Sequence, residues 1–181
     1  MAGILITAVD IKKLWYAETT DVTADLTGAL LKTLLGKAKE IINVHQDTWS
    51  VEESEASITR YRNQLTGNNY RQTKDMGDVV MSFTIGQYDY ETKAALMGGT
   101  ATEKTWKRSR EVVDIYKCMI ALTEDDQYVV FPKGAISARE ANTDGAVGLA
   151  VAATALEPDV AAVSPEYWFD KSEVDTASSD L

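Results

Sequence analysis

Hydrophobic and polar residues alternate most cleanly between positions 79 and 85, where Val79, Met81, Phe83 and Ile85 interleave with Val80, Ser82 and Thr84. A period of two over seven residues predicts a strand with one buried face. The pattern then changes. Residues 88–97 read as a short helix, closed by Gly98-Gly99, the residue type that tolerates the left-handed position after a helix. Trp106 and residues 112–122 return to strand character, and residues 128–131 follow as a further strand after the polar break at 123–127. Pro132-Lys133-Gly134 punctuates the chain, and residues 146–156 form a last long strand in which Val147, Leu149 and Val151 alternate with Gly148, Ala150 and Ala152. Small residues on one face of a strand permit close approach by a neighbouring backbone.

Upstream, residues 3–7 read as a short strand, with 11–16 continuing it or turning. Residues 23–35 carry helical spacing: Leu26, Leu30 and Leu34 share a stripe, with Leu31 and Leu35 beside it. Asp21 or Thr23 would cap this helix and Gly36 would end it. Its leucine face either docks a partner or lies on the chain's own sheet, and the second is favoured. Ile41, Ile42, Val44 and Trp49 suggest another strand segment. Residues 50–77 differ from everything around them. Ile58, Tyr61, Leu65, Tyr70 and Met76 stand singly among Asn, Gln, Thr and charged residues, with a turn signal at Gly67-Asn68-Asn69. A polar stretch of this length is uncommon as an idle loop. It is expected to be a hairpin or arm that orders on another subunit, with Tyr61, Leu65 and Tyr70 as its anchors.

The succession of strand, short helix ending in Gly-Gly, strand hairpin, Pro-Lys and a last strand ending Ala-Thr-Ala-Leu-Glu resembles the body of the phage tail tube (major tail) proteins of long-tailed bacteriophages. Phe83-Thr-Ile-Gly86, Lys93-Ala-Ala-Leu-Met-Gly-Gly99, Phe131-Pro-Lys-Gly-Ala135 and Val151-Ala-Ala-Thr-Ala-Leu156 carry the resemblance, over somewhat under half of the chain. It implies subunits that associate into hexameric rings, rings that stack into a tube with other tail proteins, and DNA that passes the lumen without specific binding. It also implies residence in a virion tail assembled in a bacterial cytoplasm, encoded by a phage or a prophage. In that family a long loop at about the place of residues 50–77 makes contacts between subunits. The leucine-rich segment at 23–35 and the acidic tail have no counterpart in the resemblance. Type VI secretion tube proteins share the fold and ring architecture and form an alternative; a small-ligand-binding β-barrel is another.

The expected fold is therefore α+β, a mostly antiparallel β sandwich or flattened barrel flanked by one or two short helices. Residues 1–157 form the domain, with the assembly arm at about 50–77, and 158–181 form an acidic C-terminal arm, disordered from about Asp175. Tyr167, Trp168 and Phe169 are the apolar knot of that arm and are expected to join the contact surface.

Composition removes several other classes. At 181 residues and 45% hydrophobic, the chain can bury one sizeable core. No apolar run reaches the roughly 20 residues that span a bilayer, and residues 1–8 lack the features of a secretory signal, so no membrane partner is expected. Cys118 is the single cysteine and His45 the single histidine, too few for a Cys/His metal site within one subunit. Cys118 reads as a small hydrophobe in a strand, and His45 as a surface or ladder residue. No nucleophile elbow, phosphate loop or dinucleotide fingerprint is present. The acidic run at 123–127 reads as a hairpin turn rather than a calcium loop. No catalytic, cofactor-binding or metal-binding residue is assigned. The net charge of −10 disfavours tight wrapping of nucleic acid, although Arg60-Tyr61-Arg62 and Tyr70-Arg71 interleave cations and aromatics in a manner suited to stacking on single strands.

Overall fold

A computed structural model describes residues 5–177. In chain order its elements are β1 (Ile11–Ala17), a 3-10 turn at Thr19–Asp21, α1 (Gly28–Lys37), β2 (Lys39–Ile41), β3 (Ser50–Glu53), β4 (Ser57–Arg62), β5 (Asn69–Asp75) and β6 (Val79–Ile85). There follow α2 (Tyr90–Met97), β7 (Thr100–Thr102), β8 (Thr105–Lys107), β9 (Ile115–Thr123), β10 (Gln127–Thr143), β11 (Ala146–Ala155), β12 (Tyr167–Asp170) and α3 (Lys171–Thr176). Eight strands form one sheet in the order β2-β1-β9-β10-β11-β6-β3, with β12 beside β10, and every pairing is antiparallel. The chain is an α+β fold dominated by an antiparallel sandwich, as its residue pattern predicts.

Strand β10 changes partners along its length, which lets one continuous sheet supply both layers. Residues 127–130 lie between β9 and β12, whereas 134–143 pair with β11. Between these stretches the register with β9 shifts, so that Phe131 faces Met119 and Gly134 faces Lys117. Pro132 and Lys133 thus occupy a bulge inside one 17-residue strand rather than a break between two strands. Proline has no N–H for the ladder, and a bulge is one of the few places a sheet accommodates it. Sequence punctuation was here a bend.

Two cores result. One lies between the layers, where Leu14, Tyr16, Met119, Ala121, Val129 and Phe131 meet Met81, Phe83, Ile85, Leu149, Val151 and Ala153, with Leu96 of α2 at the margin. The other covers the outer face of β1, β9 and β10, where Trp15, Cys118, Ile120, Leu122, Tyr128 and Val130 pack under Leu26, Leu31, Leu34, Val163 and Val174. Strands buried on both faces lose the alternation that marks β6, which explains the unbroken apolar run at 118–122. The outer face of β6 and β11 keeps Ser82, Thr84, Ala150 and Ala152 and carries no helix.

Several boundaries move. The leucine helix begins at Gly28, capped by Thr27, whose hydroxyl accepts from the Leu30 amide, and it runs through Gly36 to Lys37. Leu31 and Leu34 face the sheet and Leu30 turns outward, so the helix lies on its own sheet. Strand β9 starts at Ile115, leaving Val112 and Val113 in an exposed loop; its ladder with β10 ends at the Ile115–Ile136 pair. Ile42 lies outside β2, and Val44 makes only an isolated bridge to Ile85. Of the expected strand at 3–7, residues 3 and 4 lie outside the described residues and 5–7 form no strand. Beyond Pro158 the chain returns to pair as β12 and ends in the short helix α3, which includes Asp175 and Thr176. The remainder of the tail expected to be disordered, 178–181, lies outside the described residues.

Candidate assembly surface

The polar segment at 50–77 divides into two parts. Ser50–Glu53 joins the large sheet as β3, whereas β4 and β5, among the described residues, pair only with each other. Their neck is narrow. The Ser54 amide donates to the Asp78 carbonyl at 3.0 Å, and the Asp78 amide donates back to Ser54 Oγ at 2.9 Å. Gly77 passes through this clasp so closely that a Cβ placed on it would lie 1.8 Å from the Ser54 carbonyl oxygen. At the tip, Asn63 Oδ1 accepts from the Leu65 amide at 2.8 Å, and Arg62 Nε donates to the Gly67 carbonyl at 2.5 Å. Gly67 has φ +72, the left-handed conformation that a side chain disfavours.

Register determines which side chains share a face. Tyr61 lies opposite Arg71, whose guanidinium sits 5.6 Å from the ring centre, while Ile58 lies opposite Lys74 and Arg60 opposite Gln72. Both faces therefore combine cations with apolar surface. All three expected anchors are exposed: Leu65 is 95%, Tyr70 70% and Tyr61 42% accessible. A two-stranded ribbon of this kind is marginal alone in water, and these side chains have no core of their own to enter.

The C-terminal trio is arranged differently. Tyr167 and Phe169 stack with ring centres 5.8 Å apart and pack against the outer core. Burial, and then the hydrogen bond Tyr167 donates to Asp25, raise the Tyr167 phenol above its ordinary range. Trp168, on the opposite face of β12, is exposed and donates Nε1 to Glu166 at 2.6 Å. The structure thus places Trp168 with the hairpin anchors on the surface, and the other two within the chain's own packing.

Residues that could bear chemistry are dispersed. His45 Nε2 lies 3.0 Å from Asp144 at the surface, and its amide donates to the Thr84 carbonyl. Cys118 is fully buried in the outer core, and burial pushes its thiol up to about 12. A thiol held protonated is no nucleophile at neutral pH. Among the described residues no three His, Cys, Asp or Glu side chains are grouped to hold a metal ion, and no helix is long and apolar enough to cross a membrane. The 123–127 run forms the β9–β10 turn, with Asp126 at φ +60. Residue patterning missed the exposed Val112 and Val113, which read as strand. Their only signal was the dense charge of Arg108, Arg110, Glu111 and Asp114 around them.

No protein-family model matches the chain, and no curated protein matches it.

Proposed function

We propose that this chain is a structural subunit that self-associates into rings, and through stacked rings into a tube of the phage tail kind, through which DNA passes. It works through its surfaces rather than through a reactive centre. One observation carries the reading: an ordered hairpin, clasped at its neck, pairs with no other strand among the described residues and presents Tyr61, Leu65 and Tyr70 to its surroundings. Side chains of these kinds at such density are costly on a monomer and ordinary in an interface. The resemblance in residue pattern adds the ring and the tube. A ligand-binding barrel is disfavoured by the packed interior, since Phe83, Phe131, Met81 and Met119 fill the space between the layers that such a protein keeps open.

Sedimentation over a hundredfold dilution series, with electron microscopy of the concentrated protein, tests the proposal. Rings or tubes, and association that grows with concentration, are expected. A strict monomer at every concentration, with a protease-resistant hairpin, would overturn it.

A further inference from the structure

Charge is unevenly divided in this molecule. Between Ser57 and Asp75 the hairpin holds Arg60, Arg62, Arg71 and Lys74 against Asp75 alone, a net of +3 in a chain of −10. The rest of the chain therefore carries −13. Part of that negative charge lies beside apolar surface. At the β9–β10 turn, Glu124 and Asp125 stand next to Asp10 and Asp126: the Glu124 amide donates to the Val9 and Asp10 carbonyls, and the Val9 amide donates to Asp125 Oδ2 at 3.1 Å. Lys12 and Lys171 both reach Asp126. Asp10, Glu124 and Asp125 have no ion-pair partner among the described residues. Val9, 62% accessible, is exposed next to them, and Ile6, three residues earlier in the chain, is exposed as well. The hydrogen bond to Asp126, with the charges of Asp126, Glu124 and Asp125 adding to it, raises the Lys12 ammonium above its ordinary range.

We infer that the β4–β5 hairpin of one copy docks on the β9–β10 turn of a second copy, cations against carboxylates and Ile58, Tyr61 or Tyr70 against Val9 and Ile6. This rests on the reading of the chain as a self-assembling subunit and names the two surfaces that meet. The surfaces differ, so the contact is heterologous. Each copy offers one hairpin and one acidic turn, and association continues from copy to copy instead of stopping at a two-fold dimer. Opposed patches of this sort also steer encounter and exclude the reverse pairing of like surfaces.

Two full-length variants test it. Arg60→Glu with Lys74→Glu makes the hairpin acidic and spares Arg62, which braces the tip. Glu124→Lys with Asp125→Lys makes the turn basic. Thermal melting establishes that each variant remains folded. Alone, each should associate at least about tenfold more weakly than wild type in sedimentation, because like charges then face each other. Mixed in equal amounts they should associate again, since every hairpin now meets a turn of opposite sign. Wild-type association should also weaken as salt rises from about 0.05 to 0.5 M. If the wild type associates and the variants associate equally well, or the mixture fails to recover, this docking is wrong while the tube reading stands. A wild type that never associates removes both. Capture of duplex DNA by the hairpin in competition with association would overturn the second copy as its partner.

Discussion

Lys93 is a buried cation held on several sides. It is buried in α2, with its ammonium 2.6 Å from Glu140 Oε1, 4.2 Å from the centre of the Trp106 ring and 5.6 Å from that of Tyr88. Arg108 shares Glu140 and also lies over Trp106, while Trp106 Nε1 donates to the Gly98 carbonyl. One side chain thus fastens α2, the β7–β8 ribbon and β10. Lys93→Met keeps most of the volume but loses the charge between the rings, and should cost about 1 kcal/mol, read from urea unfolding. Asp89 supplies a pH-dependent counterpart. Its Oδ2 accepts from Lys39 at 2.9 Å and its Oδ1 from the Thr92 amide at 2.7 Å, as the N-cap of α2. Lys39 first, then Thr92, lower its carboxyl to about 2. Because the folded value lies below the ordinary one, the stabilisation is complete above about pH 4. It is lost as pH falls toward 2. Asp89→Asn keeps a good cap without the charge, so melting curves of the two proteins should differ at neutral pH and converge across that window.

At the scale of elements, the helices and the hairpin make opposite demands. Helix α1 exists to cover the outer face of its own sheet, and Leu31, fully buried there, should cost about 2–5 kcal/mol when truncated to alanine. Truncating Tyr61, Leu65 and Tyr70 should instead leave melting of the monomer nearly unchanged and weaken assembly, by about 2 kcal/mol for each true anchor. A large loss of monomer stability would place them in an intramolecular core. The difference between these cases was only partly legible in the sequence. Strand β6 could be read because it is buried on one face, so its chemistry alternates. The helix could be read from its leucines, but Leu30 and Leu31 are adjacent, and which of them faces the sheet depends on where the helix docks. Pro132 looked like a break because the bulge is defined by the register of Phe131 with Met119 and of Gly134 with Lys117 across the hairpin, which the residues flanking Pro132 do not reveal. Likewise Tyr167 and Phe169 read as a free apolar knot, since nothing local reveals that Gln127–Val130 offers them an edge. The hairpin was visible as a polar stretch with a turn signal. Its standing apart from the chain's own domain was expected from its polarity, whereas the entry of residues 50–53 into the large sheet was not.

For the whole molecule the decisive quantity is the charge that a passing polymer would meet. A surface gains affinity for duplex DNA by releasing counterions from phosphate, and a net charge of −10 forfeits most of that term. Positive exceptions are residues 104–110, with Lys104, Lys107, Arg108 and Arg110, and the hairpin, whose cations are engaged by carboxylates of a neighbour when copies associate through the hairpin and the β9–β10 turn. If the chain forms a conduit, acidic residues should face the channel more often than basic ones, so that each phosphate meets repulsion. The expected result of a low-salt titration with duplex DNA is therefore no measurable affinity, in the condition where screening is weakest and any basic patch shows itself most strongly. Micromolar binding that disappears on adding salt would mean instead that Arg60, Arg62 and Arg71 form a phosphate-tracking surface. The conduit reading of the charge would then fail, whatever oligomer the protein forms.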